Sequence, residues 1–142
     1  MTYQDNFQKW LDFAELPDYL RKDLEGMDEK TKEDAFYTNL EFGTAGMRGL
    51  IGAGTNRINI YVVRQATEGL ARLIEEKGDE FKKRGVAIAY DSRHFSPEFA
   101  FESAAVLAKH GIKSYVFESL RPTPELSFAV RHLGTFAGIM IT

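Results

Sequence analysis

The chain has 142 residues, of which 44% are hydrophobic and 27% are charged, and its formal net charge is −3. These values are typical of one globular domain, and the lack of a basic excess argues against nucleic acid as a main partner. The absence of cysteine excludes disulfides, thiolate metal sites and cysteine nucleophiles. The polar N-terminus does not resemble a signal peptide, and no apolar run approaches the roughly 18 residues of a membrane span, so a cytoplasmic protein without a membrane partner is expected.

Residues 1–40 are predicted to form a helical extension. Its first part has apolar side chains at helical spacing, namely Phe7, Trp10, Leu11 and Ala14. Pro17 is expected to begin a second helix that ends at Gly26, and residues 30–39 to form a third. No residue pattern here indicates chemistry, so we expect this extension to pack against the main domain.

Residues 41–49 are rich in glycine and read Glu-Phe-Gly-Thr-Ala-Gly-Met-Arg-Gly. Glycines at a spacing of three allow positive φ angles and a close approach of the backbone to a ligand. Thr44 adds a hydroxyl and Arg48 a guanidinium, and backbone N–H groups beside an arginine suit an oxyanion such as phosphate. The alternative is an ordinary glycine-rich turn in which Arg48 is merely solvated.

Two better-known phosphate motifs are excluded in the next segment. A P-loop requires a lysine followed by serine or threonine after its second glycine, whereas Thr55 and Asn56 follow Gly54. A dinucleotide fingerprint starting at Gly52 would have Arg57 at its third glycine position, and no clear strand precedes it. The segment is therefore neither an NTPase loop nor a dinucleotide-binding loop.

The middle of the chain predicts a long helix and a buried strand. Asn59 is a suitable cap for a helix with one apolar stripe that ends at Gly78. Residues 79–85 are predicted to be a charged loop. Residues 86–90 form a short apolar run of the kind found in buried parallel strands.

The remaining residues alternate between helix and strand. Ser96 is expected to cap a helix that ends at Gly111, and Thr123 to begin a second helix in the same way. Residues 112–117 and 137–141 are the expected strands. This alternation predicts right-handed crossovers and an α/β fold with helices on the faces of a parallel sheet.

Polar residues follow the ends of the predicted strands. They are Asp91, Ser92, Arg93 and His94 after the first strand, Arg121 and Thr123 after the second, and Thr142 after the third. Ligands bind beyond the carboxyl ends of parallel strands, and arginines with helix N-termini favour phosphate. The sequence therefore predicts a possible anion site at this edge, which Arg48 could join.

Structural roles remain open for each of these residues. Asp91 could bond only the amides of its own turn, and Arg93 could pair only with Asp91. His94 is expected to be a surface residue. His110 and His132 lie near predicted helix C-termini, where the helix dipole favours a partly cationic ring.

Four segments of the chain resemble the signatures of the α-D-phosphohexomutases, the phosphoglucomutase and phosphomannomutase superfamily. They are residues 41–49 for the first signature, 90–96 for the second, 121–131 for the third, and 138–142 for the strand that leads into the phosphoserine loop. The helical extension, with Met47 inside the glycine motif, resembles the longer bacterial phosphoglucomutases and the vertebrate phosphoglucomutase/phosphopentomutase branch.

The resemblance implies an enzyme that interconverts sugar 1-phosphates and 6-phosphates, or the pentose equivalents. Family members use a phosphorylated serine, a sugar bisphosphate intermediate and Mg²⁺, so a phosphorylated sugar, Mg²⁺ and glucose 1,6-bisphosphate are the expected partner and cofactors of the whole enzyme. The implied first domain of four is a three-layer α/β/α domain with a mainly parallel mixed sheet. Residues 41–142 would form most of that domain, after the extension at residues 1–40.

The resemblance also implies roles for particular residues. Arg48 would lie beside the phosphoserine and support the transferring phosphoryl group, and Thr44 and Arg93 are further candidates for phosphate binding. Structural support of the site is implied for Asp91, Ser92, Thr123 and Thr142. No metal ligand is expected here, because the metal loop of the family belongs to the second domain.

The chain ends at Thr142, where the family pattern continues with Ala-Ser-His-Asn-Pro. The resemblance therefore implies a fragment without the nucleophilic serine, and such a fragment is expected to be inactive because phosphoryl transfer depends on a complete set of positioned groups. A phosphopentomutase and a non-catalytic domain that binds a phosphorylated ligand are the alternatives. The sequence does not indicate the oligomeric state.

Overall fold

The structure is a computed structural model that describes residues 2–42 and 46–142. The helices of this part of the chain are α1 (Tyr3–Asp12), α2 (Asp18–Glu25), α3 (Glu29–Phe36), α4 (Ile60–Lys77), α5 (Asp79–Arg84), α6 (Ser96–Lys109) and α7 (Thr123–Leu133). The strands are β1 (Val86–Tyr90), β2 (Ser114–Val116) and β3 (Ala137–Ile141).

The chain divides into two compact units, Met1–Val62 and Val63–Thr142, with the division inside α4. The expected boundary at residue 40, between a helical extension and an α/β domain, stays a prediction. Among the described residues, no helix has both the length and the apolar character needed to cross a membrane.

The first unit is built around Phe36, which is fully buried at the end of α3. The rings of Phe7 and Trp10 on α1 each meet the Phe36 ring edge-on, with centroids 5.6 Å apart. α2 contributes the buried Leu20 and Leu24 to the same core. The predicted helices of this region are confirmed, although the third ends at Phe36 rather than at residue 39.

Asn59 caps α4, as its sequence position predicts. Its Oδ1 accepts hydrogen bonds from the backbone N–H groups of Tyr61 and Val62, at 3.1 and 3.0 Å. Its Nδ2 donates to the carbonyl oxygens of Gly52 and Gly54, both at 2.9 Å. One buried side chain therefore fixes both the start of α4 and the glycine-containing turn before it.

The second unit is a three-layer α/β/α structure. Its sheet has the strand order β2-β1-β3 with both pairings parallel. On one face of β1, Val86, Ile88 and Tyr90 pack in a cluster that also contains Ala71 and Ile74 of α4 and Ala100 and Leu107 of α6. On the other face, Ala87 and Ala89 pack against Leu126 and Val130 of α7. The α/β/α fold class is therefore confirmed.

Two element predictions in this unit are wrong. Residues 79–84 form the short helix α5 instead of a charged loop, with acidic residues in its first turn and basic residues in its last, which suits the helix dipole. Its Phe81 also packs edge-on against Phe136, with ring centroids 5.4 Å apart. The second strand is shorter than predicted, because only Ser114–Val116 join the sheet.

The predicted helix caps at Ser96 and Thr123 are also wrong. Both residues are the first residue of a helix, and the N-cap positions are held by Phe95 and Pro122, which have no capping side chain. The hydroxyl of Ser96 instead donates to the carboxylate of Asp91. The Ser96 hydroxyl therefore stabilises the turn between β1 and α6 and does not cap the helix.

Candidate functional site

The carboxylate of Asp91 organises the edge of the sheet where β1 ends. Its Oδ1 accepts hydrogen bonds from the backbone N–H of Arg93 at 2.9 Å and from the Ser96 hydroxyl at 3.0 Å. Its Oδ2 accepts from the Thr142 hydroxyl at 2.6 Å and lies 3.4 Å from Arg93 Nε. The structure therefore brings Asp91, Arg93 and Thr142 together, as the strand alternation predicts.

These donors determine the ionisation of Asp91. Burial acts to raise its pKa, but hydrogen bonds from Thr142, from the backbone of Arg93 and from Ser96, with the charge of Arg93, together lower the pKa below its ordinary value. The group is therefore a stable carboxylate that accepts hydrogen bonds, and it is poorly suited to act as a base at neutral pH.

Arg93 both pairs with Asp91 and faces solvent. Its side chain is 70% exposed, so part of its guanidinium is available to an anion. Ser92 and His94 are exposed beside it, and the surface position predicted for His94 is confirmed. The structure thus shows the ion pair between Arg93 and Asp91, whereas the role of Arg93 in phosphate binding stays a prediction.

The segment after β2 reaches the same end of β1. The backbone N–H of Arg121 donates to the carbonyl oxygen of Tyr90 at 3.0 Å, and Arg121 Nε pairs with Glu125 at the same distance. Thr123 is exposed, and its hydroxyl makes no hydrogen bond to another described residue. Its supporting role at the site, like that of Ser92, stays a prediction.

The glycine-rich motif belongs to the first unit and is only partly described. Thr44 lies outside the described residues. Gly46 has a φ of 121°, in the region that favours glycine, and no described atom lies within 4 Å of the position that a Cβ would take. Arg48 is exposed and makes no hydrogen bond or ion pair to another described residue. Its catalytic role stays a prediction.

The arginine that follows this motif has a structural role. Arg57 is 8% exposed, and its Nη2 lies 2.7 Å from Asp34 Oδ2. Nearby Gly54 has a φ of 133°, and a Cβ there would lie 2.6 Å from the carbonyl oxygen of Ala35. The conformation and close packing of this turn explain why glycine and arginine occur here without a dinucleotide site.

The structure places a histidine between two glutamates, an arrangement that the sequence does not predict. His110, after α6, has Nε2 within 2.8 and 2.9 Å of the Glu68 carboxylate oxygens, and its Nδ1 contacts Glu75. Hydrogen bonds to Glu68 and then to Glu75 raise the pKa of His110, against the opposing effect of burial. The effect predicted from the helix dipole stays a prediction, because the causes of this raised pKa are the two glutamates. Because the glutamates precede His110 by 42 and 35 residues, only the tertiary structure identifies them.

A metal-binding cluster and a cleft are the other features that could form a site in the described part of the chain. Within residues 2–42 and 46–142, no group of three or more His, Asp or Glu side chains could hold a metal ion. A cleft of about 510 Å³ runs along α7 and β2, and apart from Glu125 and His132 its lining is mostly apolar, including Phe117, Phe128 and Leu133. This lining lacks the set of donors that a phosphate requires.

The three-layer fold and the polar edge define an α/β domain with its candidate site at the carboxyl ends of parallel strands. The chain belongs to the phosphoglucomutase/phosphomannomutase family, whose alpha/beta/alpha domain I matches residues 39–142. This finding agrees with the resemblance of the sequence motifs.

Named relatives are phosphoglucomutases of staphylococci. That of Staphylococcus haemolyticus is 39% identical over 139 residues, which are 98% of this chain and 24% of the relative. That of Staphylococcus epidermidis is 41% identical over 134 residues, with 94% and 24% covered, and that of Staphylococcus aureus (strain bovine RF122) is 46% identical over 111 residues, with 78% and 20% covered. The chain thus spans about a quarter of the length of these relatives. No solved structure matches it.

Proposed function

We propose that this chain is part of the first domain of a phosphoglucomutase/phosphomannomutase that interconverts hexose 1-phosphate and hexose 6-phosphate. The observation that carries the proposal is the family match over residues 39–142, supported by relatives that are named phosphoglucomutase. In the proposed reaction a phosphorylated serine donates its phosphoryl group to the sugar, and a sugar bisphosphate reorients and returns one group. The nucleophilic serine would stand two residues after Thr142 in the complete protein.

Arg48 is the residue of this chain proposed to act on the phosphoryl group. A guanidinium can form two parallel hydrogen bonds to phosphate oxygens, and the exposure of Arg48 leaves its donors available. The positive φ of Gly46 suits a backbone that approaches a ligand closely. Thr44 and Arg93 are proposed as further phosphate contacts.

The described residues include no group of three or more His, Asp or Glu side chains that could hold a metal ion. We therefore assign no step through the metal to these residues, and propose that Mg²⁺ and glucose 1,6-bisphosphate belong to the complete enzyme. Phosphoryl transfer depends mainly on positioning and charge stabilisation. Because this chain would provide only one wall of the site, we expect residues 1–142 to be inactive alone.

The test compares the complete protein with residues 1–142 on two substrates. Complete protein, supplied with Mg²⁺ and glucose 1,6-bisphosphate, should convert glucose 1-phosphate faster than ribose 1-phosphate. A preference for ribose 1-phosphate would identify a phosphopentomutase instead, and binding without turnover would identify a ligand-binding domain. Turnover by residues 1–142 above a no-protein control would contradict the expected inactivity.

Replacing Arg48 tests its proposed role. In the complete enzyme, Arg48→Ala should lower kcat by roughly 10²–10³-fold, the scale for losing one preorganised donor. The melting temperature should barely change, because the side chain is exposed and packs little. Arg72→Ala is a matched control, since Arg72 is 73% exposed and pairs only loosely with Glu68 at 3.5 Å. A large loss of stability with near-normal kcat would establish the turn as purely structural.

A further inference from the structure

The strands β1 and β3 end side by side and are joined beyond their ends. Tyr90 is the register partner of Ile141, and the backbone N–H of Asp91 donates to the carbonyl oxygen of Ile141 at 3.1 Å. The next residue, Thr142, donates its hydroxyl to Asp91 Oδ2 at 2.6 Å. The chain leaving β3 is thus held by a backbone bond and then by a side-chain bond, both to Asp91.

Arg93 contacts both oxygens of Asp91, but the two hydroxyl groups that bond to Asp91 are divided between them. Oδ1 accepts from Arg93 N–H and from the hydroxyl of Ser96, which is 2% exposed, so this oxygen stabilises the turn between β1 and α6. Oδ2 holds Thr142, which is exposed at the edge of the sheet. Loss of the Oδ2 bond would therefore leave the turn and its buried bonds in place.

We infer that Asp91 is a positioning residue that acts through the Thr142 hydroxyl and fixes the direction in which the chain leaves β3. This inference rests on the proposed function, which puts the nucleophilic serine two residues after Thr142. A serine only two residues after a residue that is fixed by hydrogen bonds has little freedom to move. Neither Asp91 nor Thr142 needs to touch the sugar or the phosphoryl group.

The expected effect is on rate more than on binding or stability. In-line phosphoryl transfer requires the attacking and transferred groups to be aligned, and a displacement of about 1 Å can cost about 10²-fold. Thr142→Val keeps the branched shape and removes the donor, so kcat should fall by roughly 10- to 10²-fold. The KM for glucose 1-phosphate and the melting temperature should stay near those of the wild type, because Thr142 is exposed. Thr142→Ser restores the hydroxyl and should restore most of kcat.

Thr135 provides a matched control near the other end of β3. Its hydroxyl donates to the carbonyl oxygen of Ala137 at 3.1 Å, and the residue is 3% exposed. Thr135→Val removes the same group from a buried place before the same strand. It should lower the melting temperature and leave kcat unchanged, which is the opposite of the effect expected for Thr142→Val.

The experiment measures kcat, KM and melting temperature for these variants in the complete protein. Asp91→Asn is added alone and together with Thr142→Val. If Asp91 acts through Thr142, the double variant should have the same kcat as Asp91→Asn. Should Asp91→Asn fail to fold, the three threonine variants still decide the question.

The inference is overturned if Thr142→Val keeps the wild-type kcat, or if Thr142→Ser is as slow as Thr142→Val. It is also overturned if the loss of kcat merely follows a loss of melting temperature, as a structural role would require. Each of these results leaves the proposed function intact when the wild-type complete protein, measured beside the variants, shows mutase activity. Lack of mutase activity in the wild-type complete protein would overturn the proposed function and this inference together.

Discussion

The glycine before β1 offers a quantitative test of how the sheet is packed. Gly85 has φ 75° and ψ −161°, a backbone conformation that is almost restricted to glycine. A Cβ at this position would lie 2.3 Å from the carbonyl oxygen of Lys113. That oxygen accepts a hydrogen bond from Val86 N–H at 2.9 Å, so it cannot move without loosening the start of β1.

The expected cost of Gly85→Ala is the sum of two effects. The backbone conformation costs about 1–3 kcal/mol for a residue with a Cβ. Overlap with a packed backbone atom adds about 1–3 kcal/mol. We therefore expect Gly85→Ala to lower the free energy of unfolding by about 2–6 kcal/mol.

Gly134→Ala is the matched control. Gly134 ends α7 with φ 68° and ψ 28°, and no described atom lies within 4 Å of its Cβ position. Its replacement should cost only the left-handed backbone energy, about 1–2 kcal/mol. The gain from a less flexible unfolded chain is common to both glycine-to-alanine changes and cancels in the comparison.

Urea unfolding of residues 1–142, followed by circular dichroism, measures both changes. With a slope of about 2 kcal/mol per molar urea, Gly134→Ala should lower the midpoint by about 0.5–1 M and Gly85→Ala by about 1–3 M. Equal shifts would refute the reasoning, because they would mean that the turn before β1 relaxes and that the contact with Lys113 does not constrain it.

Two further predictions concern the second unit. The pKa of His110 is raised above its ordinary value of 6.5, so its ion pairs stabilise the fold fully below pH 6.5 while the glutamates are ionised, and this contribution disappears as pH rises through the raised pKa. The melting temperatures of wild type and His110→Gln should therefore differ at pH 6 and become similar in alkaline buffer. A difference in melting temperature that does not change with pH would contradict this. Leu107 is fully buried, so Leu107→Ala should lower the free energy of unfolding by about 2–5 kcal/mol in urea titrations, whereas Leu73→Ala, at a residue 45% exposed, should change it by at most about 0.5 kcal/mol.

The sequence predicts the elements whose signals are local. The apolar run at residues 86–90 becomes the buried strand β1, and Asn59 caps α4 because its side chain reaches the adjacent N–H groups. Gly111 has the positive φ angle expected after a helix. The alternation of these elements was sufficient to predict the α/β fold and the gathering of polar residues at one edge.

Features that depend on tertiary contacts were missed or misassigned. Ser96 has the composition of a helix cap, but the nearby carboxylate of Asp91 takes its hydroxyl bond, which the local sequence does not reveal. The bond between Asp91 and Thr142 depends on the register of β1 with β3, across 51 residues of sequence. The many charged residues of helix α5 favour a loop prediction. The helix is held in place by the contact of Phe81 with Phe136, which is distant in sequence.

The most direct test of the central claim is to measure whether a serine follows Thr142 at the proposed position and whether it is phosphorylated. Complete protein purified without phosphatase would be analysed by intact-mass spectrometry and peptide mapping, before and after incubation with glucose 1,6-bisphosphate. We expect a serine two residues after Thr142, followed by His-Asn-Pro, and one phosphoryl group on that serine whose occupancy increases with the sugar bisphosphate. Another residue at that position, or a serine that never carries phosphate under these conditions, would contradict the phosphohexomutase mechanism proposed for this protein.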